Sequence, residues 1–114
     1  MKFKIKFYET EKRRCPLQDF LEELKDTAPD DFAFILAGLN KLKLREYHRP
    51  PLSKPIGDGL YELRHVGRLN TRIFYFSAHI ILIHGILKKG GKIPGHERKV
   101  ALKRKLDWAA RYLK

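Results

Sequence analysis

The sequence predicts an α+β fold in the order β-α-α-β-β-β-α, with an antiparallel sheet packed against segregated helices. Three observations carry the prediction. The chain opens on alternating lysine and apolar residues. Two stretches with helical apolar spacing follow, broken at Ala28-Pro29. Three apolar runs between Leu60 and Leu87 are then separated by turns short enough for an antiparallel meander. The chain has 114 residues, 43% hydrophobic and 11% aromatic. That is the length of one domain, 1–114, and enough apolar material for a core without disulfides or metals.

Each element has its own justification. Phe3, Ile5 and Phe7 alternate with Lys2, Lys4 and Lys6, the pattern of a strand with one buried face and lysines in water, suited to a sheet edge. Cys15-Pro16 opens a helix whose stripe is Leu17, Phe20, Leu21 and Leu24. Pro29-Asp30-Asp31 opens a second, with Phe32, Ile35, Leu36, Leu39 and Leu42 as its stripe and Tyr47 extending it. So short a break makes the pair a helical hairpin. Residues 48–55 hold three prolines and read as a connector, followed by a turn at 56–59. Strands are expected at Leu60–Val66, Thr71–Ser77 and His79–Leu87. The runs Ile73–Phe76 and Ile80–Ile83 lack alternation, as strands covered on both faces do. Residues 88–95 form a basic loop. A last helix over His96–Leu113 has Leu102, Leu106, Ala109 and Leu113 as its core stripe, with Trp108 and Tyr112 beside it.

The formal net charge is +12. Residues 1–56 hold 12 Lys and Arg against 9 Asp and Glu, and residues 57–114 hold 13 against 4, so the excess lies in the second half. Such a surplus attracts polyanions, nucleic acid foremost, with anionic membrane and acidic protein next. A lone Cys15 excludes an internal disulfide and fits a reducing compartment, and no apolar run is long enough to span a bilayer. A cytoplasmic protein is expected, with no membrane partner.

Several chemistries find no motif. No His or Cys pair has zinc spacing, the acidic residues of the second half are too scattered for a two-metal nuclease, and there is neither a phosphate-binding Gly-rich loop nor a serine nucleophile elbow. No cofactor is implied. Metal-free cleavage is open to RNA, whose 2′-hydroxyl is a built-in nucleophile. A protein must then help remove the 2′ proton, stabilise the crowded phosphorane and protonate the leaving 5′ oxygen. Arginine suits the second task because its planar fork engages two phosphate oxygens. Arg64 and Arg72 sit inside strands, and if Val66 opposes Asn70 they face each other across the hairpin. Their repulsion would be reversed by a phosphate between them. A one-residue slip would put them on opposite faces. Lys88, Lys89, His84 and Tyr75 are further candidates. Each also has a plainer reading: Arg72 solvated at a strand end, Arg64 paired with Glu62 or Glu97, Lys88 and Lys89 in a solvated loop, His84 and Tyr75 in the core. Lys92, Lys99, Lys103 and Arg104 extend a basic surface that fits RNA or the ribosome.

The runs Leu60-Tyr61-Glu62-Leu63-Arg64, Thr71-Arg72-Ile73-Phe74-Tyr75-Phe76, Ile83-His84-Gly85-Ile86-Leu87-Lys88-Lys89 and Lys92-Ile93-Pro94 resemble the RelE/ParE superfamily, nearest its phage-derived HigB-like branch. The resemblance implies a RelE-like fold and a type II toxin that cuts mRNA on the ribosome by 2′-hydroxyl attack. Arg64, Arg72 and Lys89 match basic positions of the family pattern, with Lys88 and Lys92 matching less closely. Some members use a histidine near the C-terminus; this chain has none there, which leaves His84, Tyr75 or a lysine as substitutes. The resemblance further implies a cognate helix-turn-helix antitoxin, with DNA contacted only through the toxin–antitoxin complex. Two other readings share the fold or the charge: a gyrase poison of the ParE kind, and a non-enzymatic basic RNA-binding module.

Overall fold

A computed structural model describes residues 3–76, 80–88 and 93–112. The elements are β1 (Ile5–Phe7), α1 (Pro16–Thr27), α2 (Pro29–Lys41), a 3-10 turn (Arg45–Tyr47), β2 (Ser53–Gly57), β3 (Leu60–Val66), β4 (Asn70–Phe76), β5 (Ile80–Leu87) and α3 (Gly95–Tyr112). The expected order holds, with one added strand. The Pro-rich connector contains β2, which pairs antiparallel with β3. Pro55 is tolerated because β2 is the edge of the sheet, where a missing N–H interrupts no inner ladder.

The five strands run β1-β5-β4-β3-β2. β1 lies parallel to β5, pairing Ile5 with Ile80, so the sheet is mixed rather than wholly antiparallel. β4 occupies one side of β5, and the edge left open accepts β1. Lys4 and Lys6 are exposed there, as expected of an edge strand. Phe7 is 39% exposed, against its expected burial; Tyr8, one residue on, is buried instead.

Helices cover both faces, which is why β4 and β5 do not alternate. On one face α1 and α2 present Leu17, Leu21, Leu24, Ile35, Leu39 and Leu42 to Leu63, Ile73, Tyr75 and Leu82. Burying each such side chain stabilises by about 1.5–3 kcal/mol. Leu36 falls outside this stripe and is 45% exposed, since the inward positions of α2 are 31, 35, 38 and 39. Gly85 lets α1 approach β5: a Cβ there would stand 2.6 Å from Phe20 Cδ2 and 3.0 Å from Leu17 Cδ1.

On the other face α3 packs against Leu60, Phe74, Phe76, Ile81, Ile83 and Ile86. Its inward stripe differs from the expected one. Ala101 is fully buried, Leu102 and Trp108 pack against the cluster, and Leu106 is 60% exposed. Positions 101, 104 and 108 face the sheet with Leu102 at their border, and Leu106 turns to solvent; Leu113 lies outside the described residues. Arg98 and Lys105 pin α3 to the β2–β3 turn through Asp58. Tyr8 donates to Asp107 Oδ2 at 2.7 Å, and Arg111 reaches both Asp107 and the Glu9 carbonyl, so the first strand is tied to the last helix. No helix of the described residues is long and apolar enough to cross a membrane.

Candidate active site

The β3–β4 hairpin fixes the register on which the arginine pair depends. Val66 opposes Asn70 and Arg64 opposes Arg72, so both side chains rise from the same face of the sheet. The turn is held from outside. Asp31, in the first turn of α2 and almost fully buried, accepts from the Leu69 N–H at 2.7 Å and the Arg68 N–H at 3.2 Å. Burial alone would raise the Asp31 pKa, but these two N–H groups and His65 outweigh it and the carboxyl titrates below its ordinary 3.8. Gly67 completes the fit, since a Cβ there would stand 2.7 Å from Asp31 Oδ1.

Between the arginines sits a carboxylate. Glu62, two residues before Arg64 and therefore on the same face, places Oε1 3.6 Å from Arg64 Nε and Oε2 3.6 Å from Arg72 Nε. Glu62 and Arg72 are buried, whereas the Arg64 side chain is 37% exposed. The separations exceed hydrogen-bonding distance. Both Nε–H groups and Glu62 Oε2 consequently have no hydrogen-bond partner among the described residues. Burial pushes the Arg72 pKa down, the Glu62 carboxylate pushes it back up, and Arg64 adds to the fall. A guanidinium remains protonated regardless. The site thus holds two facing cations, one neutralising carboxylate and donors left unspent.

His84 joins the same face by an irregularity. Phe74 pairs with His84 but Tyr75 pairs with Leu82, so Ile83 is an extra residue in β5. The bulge turns both Ile83 and His84 toward α3. The imidazole stacks on Phe74 at 5.7 Å. Its position is diagonal to Arg72 across the β4–β5 pair, about 7–8 Å backbone to backbone. Arg104 donates to His84 Nδ1 at 2.9 Å and to the Ile83 carbonyl at 3.0 Å. Because a guanidinium can only donate, Nδ1 must accept, and Nε2 carries the proton toward Glu97 Oε1 at 3.1 Å. Burial lowers the His84 pKa below its ordinary 6.5; the Glu97 bond opposes this and Arg104 adds to it.

The other predicted site residues are distributed differently. Tyr75 lies on the opposite face, 1% exposed, its hydroxyl hydrogen-bonded to Ser53 and its ring stacked on Tyr61 at 5.3 Å. Burial raises its pKa. Arg104 is turned inward on His84, not outward. Lys99 and Lys103 are exposed on α3 and Lys88 is half-buried after β5, its N–H donating to the Asn70 carbonyl at 2.7 Å. Lys89 and Lys92 lie outside the described residues, as do Lys2, Gly90, Gly91 and the 77–79 turn. Sequence reading named Glu62 and Glu97 only as pairing options for Arg64. The Glu62 bridge was signalled by its i, i+2 spacing to Arg64; the Glu97–His84–Arg104 chain depends on the bulge and had no local signal. Among the described residues, no group of three His, Cys, Asp or Glu is placed to hold a metal.

A mixed five-stranded sheet with a helical hairpin on one face and a basic helix on the other is compatible with a RelE-like fold. The family model described as Phage derived protein Gp49-like (DUF891) matches residues 19–106. The chain belongs to this Gp49-like family, a RelE/toxin-like family of toxin–antitoxin systems. No curated protein matches the sequence.

Proposed function

We propose that the protein is the toxin of a type II toxin–antitoxin pair, of the HigB-like kind, and acts as an endoribonuclease on mRNA at the ribosome without a metal. One observation carries the reading: Arg64 and Arg72 face each other beside Glu62 with their Nε–H groups unspent. A scissile phosphate can seat on the exposed Arg64 guanidinium, and the buried Nε–H groups come within its reach as Glu62 yields them. The 2′ oxygen attacks phosphorus, the P–O5′ bond breaks, and the products are a 2′,3′-cyclic phosphate and a 5′-hydroxyl. Glu62 gives the 2′ proton a destination beside both guanidiniums, and the departing 5′ oxygen takes its proton from water. Exposed Lys99 and Lys103, with Lys88, add attraction for the RNA backbone. The cognate partner is a helix-turn-helix antitoxin, through which alone DNA is contacted. The place of action is the cytoplasm.

The test is cleavage of mRNA on programmed ribosomes, with 5′ ends mapped. Arg64→Ala should lower the rate about a hundredfold to a thousandfold. It should shift unfolding by no more than about 1 kcal/mol, because Arg64 is the exposed member of the trio. Wild-type cleavage by both Arg64→Ala and Arg72→Lys would count against the assignment. Intact mRNA with trapped gyrase–DNA complexes would favour a gyrase poison, and salt-sensitive binding without cleavage a basic RNA-binding module.

A further inference from the structure

The Arg64–Glu62–Arg72 trio leaves the opposite side of the β3–β4 hairpin unused, and there the molecule has a cleft of about 740 Å³. Phe3, Arg45, His48, Arg49, Tyr61 and Tyr75 line it. This volume is in the range of small-molecule sites, roughly 300–1,000 Å³. The cleft exists because α1 and α2 cover only part of their face, and the 3-10 turn and the residues after it wall the remainder.

Its chemistry is specific. Tyr61 and Tyr75 stack nearly parallel, 5.3 Å apart at 15°, and Tyr61, half-buried, extends that stack to the cleft. His48 closes the aromatic wall, 6.2 Å from Tyr75 and 4.9 Å from Phe3. Its Nε2 lies 2.6 Å from the Leu42 carbonyl, an acceptor only, so Nε2 donates there and the ring is held in place. Arg45 and Arg49 are exposed and make no ion pair among the described residues. A second cleft, of about 520 Å³, shares Arg49 and Glu46 with the first and is bordered by Arg64. The two clefts therefore connect the exposed arginine of the trio with the aromatic wall.

Flat aromatic surfaces beside guanidiniums select a planar ring attached to an anion. Glu46, at the border of both clefts, offers an acceptor to an exocyclic amino group. We propose that this cleft takes one unstacked nucleotide of single-stranded RNA, its base against Tyr61 and its phosphate on Arg45 and Arg49. The inference rests on the RNA reading for the strand that supplies the nucleotide, and on the cleft alone for the ability to hold one.

Backbone amide NMR on the full chain tests it. The probes are CMP, UMP, AMP and GMP, each against ribose 5-phosphate, together with a Glu/Asp decapeptide. Mononucleotides should shift the amides of residues 45–49 and Tyr61, and ribose 5-phosphate should bind about fivefold to a hundredfold more weakly. Tyr61→Ala should lose that same factor and Tyr61→Phe should keep the affinity. Arg49→Ala, at an exposed position, should weaken every mononucleotide and decides the matter if Tyr61→Ala does not fold. Equal binding of ribose 5-phosphate, or shifts confined to Arg64, Arg72 and His84, would overturn the proposal. So would response to the decapeptide alone, which would make the cleft a protein-docking surface. These readouts need no cleavage, so a protein that cuts no RNA but binds CMP here would sink the nuclease reading and leave the cleft standing.

Discussion

Glu62 and Leu63 are neighbours in β3, yet they belong to two different kinds of interior. Leu63 points to the α1–α2 face, where aliphatic side chains interlock and a buried hydroxyl pair, Ser53 with Tyr75, is hydrogen-bonded, while nearer the hairpin turn Thr71 Oγ1 and His65 Nε2 have no hydrogen-bond partner among the described residues. Glu62 points to the α3 face, where buried charges stand 3.6 Å apart with donors unpaired. The aliphatic packing around Leu63 is what stability alone selects. The arrangement around Glu62 holds polar groups at a cost, which a protein retains where those groups have something else to do.

Substitutions at these two neighbours test the contrast most strongly. Glu62→Ala leaves Arg72 as a buried, uncompensated charge and should destabilise by about 3–5 kcal/mol in urea unfolding. The double replacement Glu62→Leu with Arg72→Leu should restore or exceed wild-type stability while abolishing cleavage. A double variant as unstable as the single one would mean that the trio is a structural element only. Leu63→Ala should cost about 2–5 kcal/mol through lost burial and a cavity. It should leave cleavage per folded molecule unaltered, measured well below the melting temperature.

Asp31→Ala is expected to be milder, about 1.5–3 kcal/mol for the charge-assisted bonds it removes. Its signature is local: hydrogen exchange at Arg68 and Leu69 should accelerate, and cleavage should fall because the hairpin no longer holds Arg64 opposite Arg72. Unchanged exchange there would show that the turn keeps its register unaided.

The smallest effect concerns pH. The folded His84 pKa lies below the ordinary 6.5. The unfolded chain therefore binds the proton first, and His84 contributes stability that is full above 6.5 and is lost as pH falls through the lower folded value. Asp107, held low chiefly by the Tyr8 hydroxyl, and Asp31 lose their contributions only below 3.8. As pH falls below 6.5, the melting temperature of the wild type should fall more steeply than that of His84→Gln. Parallel profiles would contradict the neutral, Arg104-bound imidazole.

What could be read from the sequence followed from local periodicity. The α1 stripe and the double-sided burial of β4 and β5 need only spacing; the facing of Arg64 and Arg72 is one of two registers open to the sequence, and the observed hairpin selects it. What could not be read depended on long-range partners. β2 was hidden because prolines argue against a strand until the sheet edge is known. Leu36 and Leu106 were assigned inward because an apolar residue near a stripe looks like part of it, and helix rotation is set by the sheet beneath. The bulge at Ile83 moved His84 onto the α3 face, and a period of two carries no sign of an extra residue. Arg104 looked like one more basic residue on a basic helix; its inward turn follows from His84 and the Ile83 carbonyl. Tyr75 is a candidate base with a core reading beside it, and alternation from Arg72 places it in the core on the far side of the sheet.

The ties between Tyr8 and Asp107 and between Glu9 and Arg111 have a consequence for synthesis. They join residues 99 and 102 positions apart, and β1 must wait some 75 residues for its partner Ile80. During translation the first strand has nothing to add to until β5 has left the exit tunnel, and its ties to α3 close later still.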